Sequence, residues 1–268
     1  MPTMERFQEV TVGRKWIAVD GVALQICFFA VDGLLVDTGA KSIADDVLHF
    51  ASHVHPQQIA LTHLHEDHSG MAGQLQARYR VPVYVHPAFV EAAGKPFQIP
   101  MYRQRFWGLP DPFKATPVGE WIETERFRFQ VISTPGHAED HIVLYEPNRG
   151  WLFSGDLYMA PKVKIVMKQE SMPVLMDSLR RVLELDFEML FCAHAGVVPN
   201  GKALLRQKLD HLAWIEEQVD KLAAEGKNLR QITRQLFPKR VPIYYMSRGE
   251  WSSTHIVRSF LANRHHFK

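Results

Sequence analysis

Short apolar runs alternate with helix-like patterns over the first 200 residues of this chain. Apolar runs of four to eight residues predict strands, and apolar positions three and four residues apart predict helices. The predicted strands span residues 23–31, 34–37, 58–62, 82–86, 127–133, 142–146, 151–154 and 189–193, and the predicted helices span residues 42–51, 69–79 and 174–185. Asp32 and Gly33 predict a tight turn between the first two strands. This alternation favours an α/β protein in which two sheets pack together beneath outer helices.

Residues 94–117 interrupt the alternation with a stretch rich in proline and aromatic residues. A loop of this length inside a compact domain is uncommon and often functional. Its aromatic residues could form a wall or lid of a substrate pocket, or they could simply pack against the body of the protein.

Apolar positions at helical spacing return after residue 200. They predict a long helix over residues 201–225 and shorter helices over residues 228–236 and 251–261. We therefore predict a catalytic core of residues 1–200 and a C-terminal helical extension of residues 201–268 packed on it. Either the extension or the 94–117 loop could form the substrate pocket, and the apolar stripe of the long helix could also serve a homodimer interface.

Composition restricts the classes of partner. The chain has 268 residues and a net charge of +2 with neutral histidines, which gives no support for nucleic-acid binding and favours a small-molecule substrate. No apolar run reaches membrane-spanning length, and the N-terminus lacks the layout of a signal peptide. Cys27 and Cys192 lie in apolar strands and are expected to be buried free thiols. Together these features lead us to expect a cytoplasmic protein without membrane contact.

The densest group of reactive side chains directly follows the predicted strand at residues 58–62. The six-residue segment His63-Leu64-His65-Glu66-Asp67-His68 contains three histidines and an aspartate at the spacing His-x-His-x-Asp-His. Imidazole and carboxylate groups are ligands of zinc, iron and manganese, and burying such a run without a cation would be costly. The segment therefore predicts a metal site. Further ligand candidates, each near the end of a predicted strand, are His137, Asp156 and His194.

In their order along the chain, these motifs resemble the signature of the metallo-β-lactamase-fold superfamily of metallohydrolases. The resemblance covers roughly residues 15–200 and implies a four-layer αββα sandwich, here followed by the C-terminal helical extension. The segment around His137, Thr-Pro-Gly-His-Ala-Glu-Asp-His, is similar to the equivalent motif of glyoxalase-II-like thioesterases and lactonases but is too widely shared to choose among them. The last motif reads Ala-His-Ala-Gly where many relatives have Gly-His-Gly, a departure that keeps the ligand at His194.

The resemblance also implies which residues hold metal. The expected ligands are His63, His65 and His137 for a first ion, Asp67, His68 and His194 for a second ion, and Asp156 as a bridge between them. Asp37, at the end of an early strand, is the expected hydrogen-bond partner of a liganding imidazole. The cofactors would be two divalent ions, with zinc as the first choice and iron or manganese as alternatives.

Such a site predicts a dinuclear hydrolase in which a metal-bridging hydroxide attacks an ester, thioester or lactone. Asp67 could instead orient or deprotonate the water if only the first ion were bound. Tyr158, two positions beyond Asp156, is a tentative hydrogen-bond donor to a developing oxyanion, although such a tyrosine often only packs.

Two other functions use a similar ligand set. A phosphodiesterase or RNA-processing nuclease could use the same pair of ions, but the balanced charge disfavours it. A sulfur dioxygenase of this superfamily would hold a single iron. The chain retains all the residues of the second site, which argues against a mononuclear centre.

Overall fold

Two mixed sheets account for most of the strands in the computed structural model, which describes residues 2–264. The last four residues of the predicted C-terminal extension therefore lie outside the described residues. The first sheet contains seven strands in chain order: β1 (Thr3–Phe7), β2 (Val10–Val19), β3 (Val22–Val31), β4 (Leu34–Val36), β5 (Gln58–Ala60), β6 (Val83–Val85) and β7 (Ala115–Pro117). The first four strands pair in antiparallel fashion, and β4 through β7 pair in parallel.

The second sheet is formed by six strands of the later part of the described chain. They are β8 (Trp121–Glu123), β9 (Arg128–Ser133), β10 (Ile142–Glu146), β11 (Trp151–Gly155), β13 (Met189–Cys192) and β14 (Gly196–Val198), in the spatial order β14-β13-β11-β10-β9-β8. Strands β11 and β13 are parallel, and the other neighbours are antiparallel. Between them in the sequence lies β12 (Val166–Met167), which pairs instead with β15 (Trp251–Ser252) near the C-terminus.

Helices connect and cover the two sheets. They are α1 (Ala44–Val54), α2 (Glu66–Ser69), α3 (Ala72–Tyr79), α4 (Val90–Ala93), α5 (Met101–Trp107), α6 (Met172–Leu183), α7 (Gly201–Ala224), α8 (Leu229–Leu236), α9 (Pro242–Met246) and α10 (Ser253–Arg264). Single 3₁₀ turns at Lys41–Ile43 and Pro87–Phe89 precede α1 and α4.

Strand β3 shows how the layers arise from the sequence. Because successive side chains of a strand point to opposite faces, a strand buried on both faces is apolar throughout. Cys27 and Phe29 point into the core between the two sheets. Ile26 and Phe28 point to the other face, where they pack in a cluster that includes Val47 of α1.

The second sheet is arranged in the same way. Trp151 and Phe153 of β11 face the core between the sheets, whereas Leu152 faces a cluster that includes Leu179 of α6 and Leu205 of α7. Three apolar clusters thus separate four layers, helix–sheet–sheet–helix. The predicted αββα sandwich with a C-terminal helical region is confirmed.

Several element predictions can be compared directly with the structure. The turn at Asp32–Gly33 is confirmed, with both residues at positive φ (49° and 80°) between the paired strands β3 and β4. The helix predicted over residues 69–79 is present as α3 (Ala72–Tyr79) and begins three residues later than predicted, after the short helix α2 (Glu66–Ser69). The segment 94–117 is only partly a loop, since it contains α5 and β7.

Two expectations about the whole protein stay predictions. The division at residue 200 is one. Leu179 of α6 and Leu205 of α7 lie on either side of it and belong to the same apolar cluster. The homodimer is the other. Within residues 2–264, no helix combines the length and the apolar character needed to cross a membrane.

Candidate active site

The ends of four strands bring the seven expected ligands to one edge of the sandwich. The first four ligands follow β5, in the loop before α2 and in α2 itself. His137 follows β9, Asp156 follows β11, and His194 follows β13. Residues at strand ends are held by the sheets while their side chains remain free to converge.

Three imidazoles form the first group. His65 Nδ1 lies 2.8 Å from His63 Nε2 and 3.0 Å from His137 Nε2. The three nitrogens fall within 4.8 Å of one another, close enough to bind one ion. Nitrogen donors in this arrangement suit zinc and the other transition metals.

Asp67, His68 and His194 form the second group, whose ligand atoms also lie within 4.8 Å of one another. Asp67 Oδ2 is 3.4 Å from His194 Nε2 and 3.8 Å from His68 Nε2. This second group mixes one carboxylate with two imidazoles, whereas the first is purely imidazole.

Asp156 lies between the two groups and turns one oxygen to each. Its Oδ2 is 3.2 Å from His137 Nε2 in the first group. Its Oδ1 is 3.3 Å from His68 Nε2 and 3.2 Å from His194 Nε2 in the second. This is the geometry that a bridging carboxylate requires.

Hydrogen bonds at the far nitrogens fix the orientation of three imidazoles. His68 Nδ1 donates to Asp37 Oδ2 at 2.8 Å, as expected for Asp37. His137 Nδ1 donates to Glu170 Oε2 at 3.1 Å, and His194 Nδ1 donates to the backbone oxygen of Gln25 at 2.7 Å. In each of these three rings the Nε2 atom is left to face the other candidate ligands.

Sequence reasoning did not identify Glu170, because nothing near it in the sequence links it to a histidine 33 residues earlier. Its other oxygen, Oε1, accepts a hydrogen bond from the backbone amide of Met167 at 2.6 Å, and its side chain is buried. Glu170 lies in the polar run Lys168-Gln169-Glu170-Ser171, so no local sequence signal distinguished it from a surface residue.

His141 supports the loop that carries Asp156 and is not a ligand candidate. The backbone amide of Asp156 donates to His141 Nε2 at 3.0 Å, and His141 Nδ1 donates to Thr134 Oγ1 at 2.7 Å. Burial lowers the pKa of His141 to about 3, with a further contribution from His137. The ring is therefore neutral, as an acceptor at Nε2 must be.

The ionised carboxylates of this site favour a positive charge beside them, as the pKa values of the neighbouring groups indicate. Burial lowers the pKa of His68 and His194, but nearby carboxylates outweigh it and raise both pKa values well above the ordinary range. Burial raises the pKa of Asp156, but the surrounding imidazoles outweigh it and hold that pKa well below its usual value. Cations bound here would likewise attract the carboxylates and stabilise their ionised form.

Two buried atoms give a direct test of whether a metal fits. His68 Nε2 and Asp156 Oδ1 lie 3.3 Å apart, yet neither makes a hydrogen bond of good geometry within residues 2–264. Buried polar atoms without partners are rare and call for an explanation such as an ion. The donor set and these two atoms together fit divalent metal.

The two ligand groups open into a cavity of about 500 Å³. Arg103 and Trp107 line it from the 94–117 segment, and Pro242, Ile243 and Trp251 line it from the C-terminal region. Both of the segments considered from sequence therefore contribute to the pocket. The β2–β3 turn and residues 162–167 complete the wall.

Arg103 ties helix α5 to the metal-binding motif. Its Nε and Nη2 donate to Glu66 Oε2 at 3.1 and 2.5 Å, and its Nη1 lies 3.5 Å from Glu250 Oε1. Both Arg103 and Glu66 are buried, and Glu66 lies between the candidate ligands His65 and Asp67. The ion pair therefore couples the position of the cavity wall to that of the ligands.

Gly155 permits the close approach of β11 to the site. Its φ is +46°, and a Cβ atom there would lie 2.7 Å from His141 Nε2 and 2.8 Å from Thr62 Oγ1. We expect Gly155→Ala to lower the free energy of unfolding by about 1–3 kcal/mol through overpacking, measured by denaturant titration. Gly226→Ala is the control, because Gly226 also has positive φ (+78°) but a Cβ atom added there would contact no heavy atom of residues 2–264 within 4 Å. Equal losses in the two variants would show that crowding is unimportant.

The carboxylate of Asp37 should matter for metal affinity. Asp37→Asn removes the negative charge that faces His68 while preserving the shape of a residue at φ +59°. We expect metal affinity about 10- to 100-fold weaker, measured by competition with a chromophoric chelator. Asp32→Asn alters another aspartate at positive φ (+49°), in the β3–β4 turn, and should leave the affinity unchanged. Unchanged affinity in Asp37→Asn would contradict the expected role.

Comparison with known proteins adds an independent finding. Residues 31–194, more than half of the chain, match the family model described as the metallo-beta-lactamase superfamily.

The beta-lactamase-like protein 2 homolog of Drosophila melanogaster is 25% identical over 193 residues, which cover 69% of this chain and 62% of that protein. The chain thus spans less than two thirds of the length of that relative. A hydroxyacylglutathione hydrolase of Xanthomonas euvesicatoria pv. vesicatoria (strain 85-10) is 28% identical over 214 residues, covering 78% of this chain and 73% of that protein.

Solved structures show the same fold. A metallo-beta-lactamase family protein from Thermus thermophilus superposes with a TM-score of 0.66 at 22% identity, covering 94% of this chain and 93% of that protein. The likeness of fold therefore extends beyond the segment that matches the family model.

Proposed function

The chain belongs to the metallo-beta-lactamase superfamily, and we propose that it is a dinuclear hydrolase that cleaves an ester, thioester or lactone in a small molecule. One observation carries the proposal: two groups of ligand atoms lie on either side of Asp156 and open into one cavity. Relatives named hydroxyacylglutathione hydrolase, such as the Xanthomonas protein, support a thioester as the first class to test.

Each of the seven expected ligands has a position in the proposed centre. One ion would be held by His63, His65 and His137, the other by Asp67, His68 and His194, with Asp156 between them. Two divalent cations supply Lewis acidity and lower the pKa of water toward neutrality, which allows hydrolysis without a serine or cysteine nucleophile. We propose zinc as the first choice, since the donors are nitrogen and oxygen only.

Asp67 acts as a ligand in this proposal. Burial raises its pKa, but the imidazoles of His68 and His194 outweigh it and hold the pKa well below the usual value for a carboxyl group. A carboxylate with such a low proton affinity is a weak general base, which supports the ligand role over the alternative role as a base.

Tyr158 is the proposed hydrogen-bond donor to the oxygen of the substrate that gains negative charge. Its side chain is buried and lines the cavity beside Asp156. Burial raises its pKa above the ordinary value, so the hydroxyl keeps its proton at neutral pH. A preorganised donor of this kind typically contributes about 10²- to 10³-fold in turnover.

The decisive experiment is a hydrolysis panel on protein whose metal content has been measured. We expect about two divalent ions per chain and cleavage of at least one thioester, ester or lactone with kcat/KM of at least about 10⁴ M⁻¹s⁻¹. Tyr158→Phe provides the matched variant, since it removes the hydroxyl and keeps the ring.

Two results would contradict the proposal. Cleavage of phosphodiesters or RNA without action on the carbonyl substrates would identify the nuclease alternative. One iron per chain with oxygen consumption would identify the sulfur dioxygenase alternative. Against a mononuclear centre stands the second group of Asp67, His68 and His194, whose three ligand atoms also lie within 4.8 Å of one another.

A further inference from the structure

A lysine from helix α7 reaches the candidate active site. Lys208 is 4% exposed, and it lines the same cavity as Asp156 and Tyr158. Its Nζ donates to the backbone oxygens of Leu157 at 2.7 Å and Tyr158 at 2.9 Å. The ammonium is therefore fixed in position directly beyond Asp156.

The charge on Lys208 is not matched by an ion pair. Within residues 2–264, no carboxylate lies within 4.0 Å of its Nζ, although Glu170 and Asp156 are near enough to influence it. Burial lowers its pKa to about 8, partly offset by Glu170, so the ammonium form still predominates at neutral pH. A buried charge without a counter-charge is costly. Two hydrogen bonds to carbonyls could be donated by a neutral group, so they do not by themselves explain a buried charge at this position.

The other cations around the cavity are differently placed. Arg103 is engaged by Glu66 and Glu250. Lys162 and Lys164 are exposed at the rim. Among the described residues, Lys208 is thus the buried cation of this cavity that lacks a carboxylate partner. Its two hydrogen bonds use two of the three N–H groups of the ammonium, so the third remains to be donated.

We propose that Lys208 binds a carboxylate of the substrate, so that the preferred substrates are esters, thioesters or lactones that carry a negative charge. This inference rests on the proposed hydrolase function. The two carbonyls of residues 157 and 158 orient the ammonium, and the third N–H meets the anionic group within the cavity. Apolar walls such as Trp107, Ile243 and Trp251 then contact the rest of the substrate.

A matched pair of substrates tests this recognition. The thiophenyl ester of glutaric acid carries a free carboxylate, and the corresponding ester of glutaramic acid has a neutral amide of the same size. For the metal-loaded wild type we expect a preference of about 10- to 100-fold in kcat/KM for the carboxylate. Lys208→Met should abolish this preference, mainly through KM, and Lys208→Arg should restore part of it.

The ratio of the two substrates within one variant separates recognition from structure. If Lys208 only holds the 157–158 backbone, both substrates lose activity equally in Lys208→Met and the wild type shows no preference, which overturns the inference. Lys202→Met is the control, because Lys202 lies on the same helix and its Nζ also donates to a backbone oxygen, that of Leu185 at 2.6 Å. It should leave the ratio unchanged.

A binding measurement keeps this inference distinct from the proposed function. We expect calorimetry of the zinc-loaded protein to show glutarate binding at least about 10-fold more tightly to the wild type than to Lys208→Met, with glutaramide unaffected. If the wild type hydrolyses neither thioester, the hydrolase proposal fails for thioesters, and the calorimetric difference still supports the role of Lys208. Equal affinity of glutarate for both proteins overturns it.

Discussion

Asp156→Ala should lower kcat/KM on any hydrolysed substrate by more than about 100-fold and reduce the metal content at the same time. Asp156 turns Oδ2 to His137 at 3.2 Å and Oδ1 to His68 and His194 at 3.3 and 3.2 Å, so its removal affects both ligand groups. The loss should exceed the roughly 10- to 100-fold typical of residues that only support a ligand. Metal analysis after gel filtration and steady-state kinetics on the same sample measure both effects.

Asp177→Ala is the control for this variant. Asp177 lies exposed on α6 and pairs with Arg180, three residues away. It should retain both metal and turnover. A variant at Asp156 with full occupancy and an unchanged rate would remove this residue from the proposed bridge.

Arg103→Met should produce the largest loss of stability among the variants considered. Removing the guanidinium leaves the buried carboxylate of Glu66 without its partner, and breaking one side of a buried ion pair typically costs about 3–5 kcal/mol. Burial already raises the pKa of Glu66, and Arg103 counteracts that effect. Denaturant titration of the wild type and the variant measures the change.

A double variant separates the ion pair from the packing of the arginine. Glu66→Gln combined with Arg103→Met removes both charges, and we expect it to recover most of the lost stability. Arg105→Met is the exposed control on the same helix: Arg105 pairs with Asp20 at the surface and should contribute less than about 1 kcal/mol. If the double variant is as unstable as Arg103→Met, the charge of Glu66 is not the cause.

The sequence indicated the candidate ligands because they belong to short motifs. The cluster from His63 to His68 can be identified within six residues, and the later candidates follow apolar strands with a Gly or Pro nearby. Asp37 could be anticipated by resemblance alone, and the structure shows its bond to His68. The layered fold was equally accessible, since the alternation of strands and helices reflects which faces are buried.

The residues that the sequence did not indicate act over long separations. Glu170 meets His137 from 33 positions away, and Lys208 reaches the backbone of Leu157 and Tyr158 from helix α7. Helix α5 was missed because its aromatic and proline-rich surroundings read as a loop. In each case tertiary contacts decide the role of the residue, and local pattern carries no information about them.

The pairing of β12 with β15 has a consequence for the order of events during translation. The residues expected to hold metal, the last of which is His194, leave the ribosome before Trp251 and its strand β15. The pocket wall that Trp251 forms is thus missing from a nascent chain that already carries every donor. A chain at that stage could bind metal ions before it can enclose a substrate. Ribosome-bound intermediates should therefore bind metal before they can select a substrate.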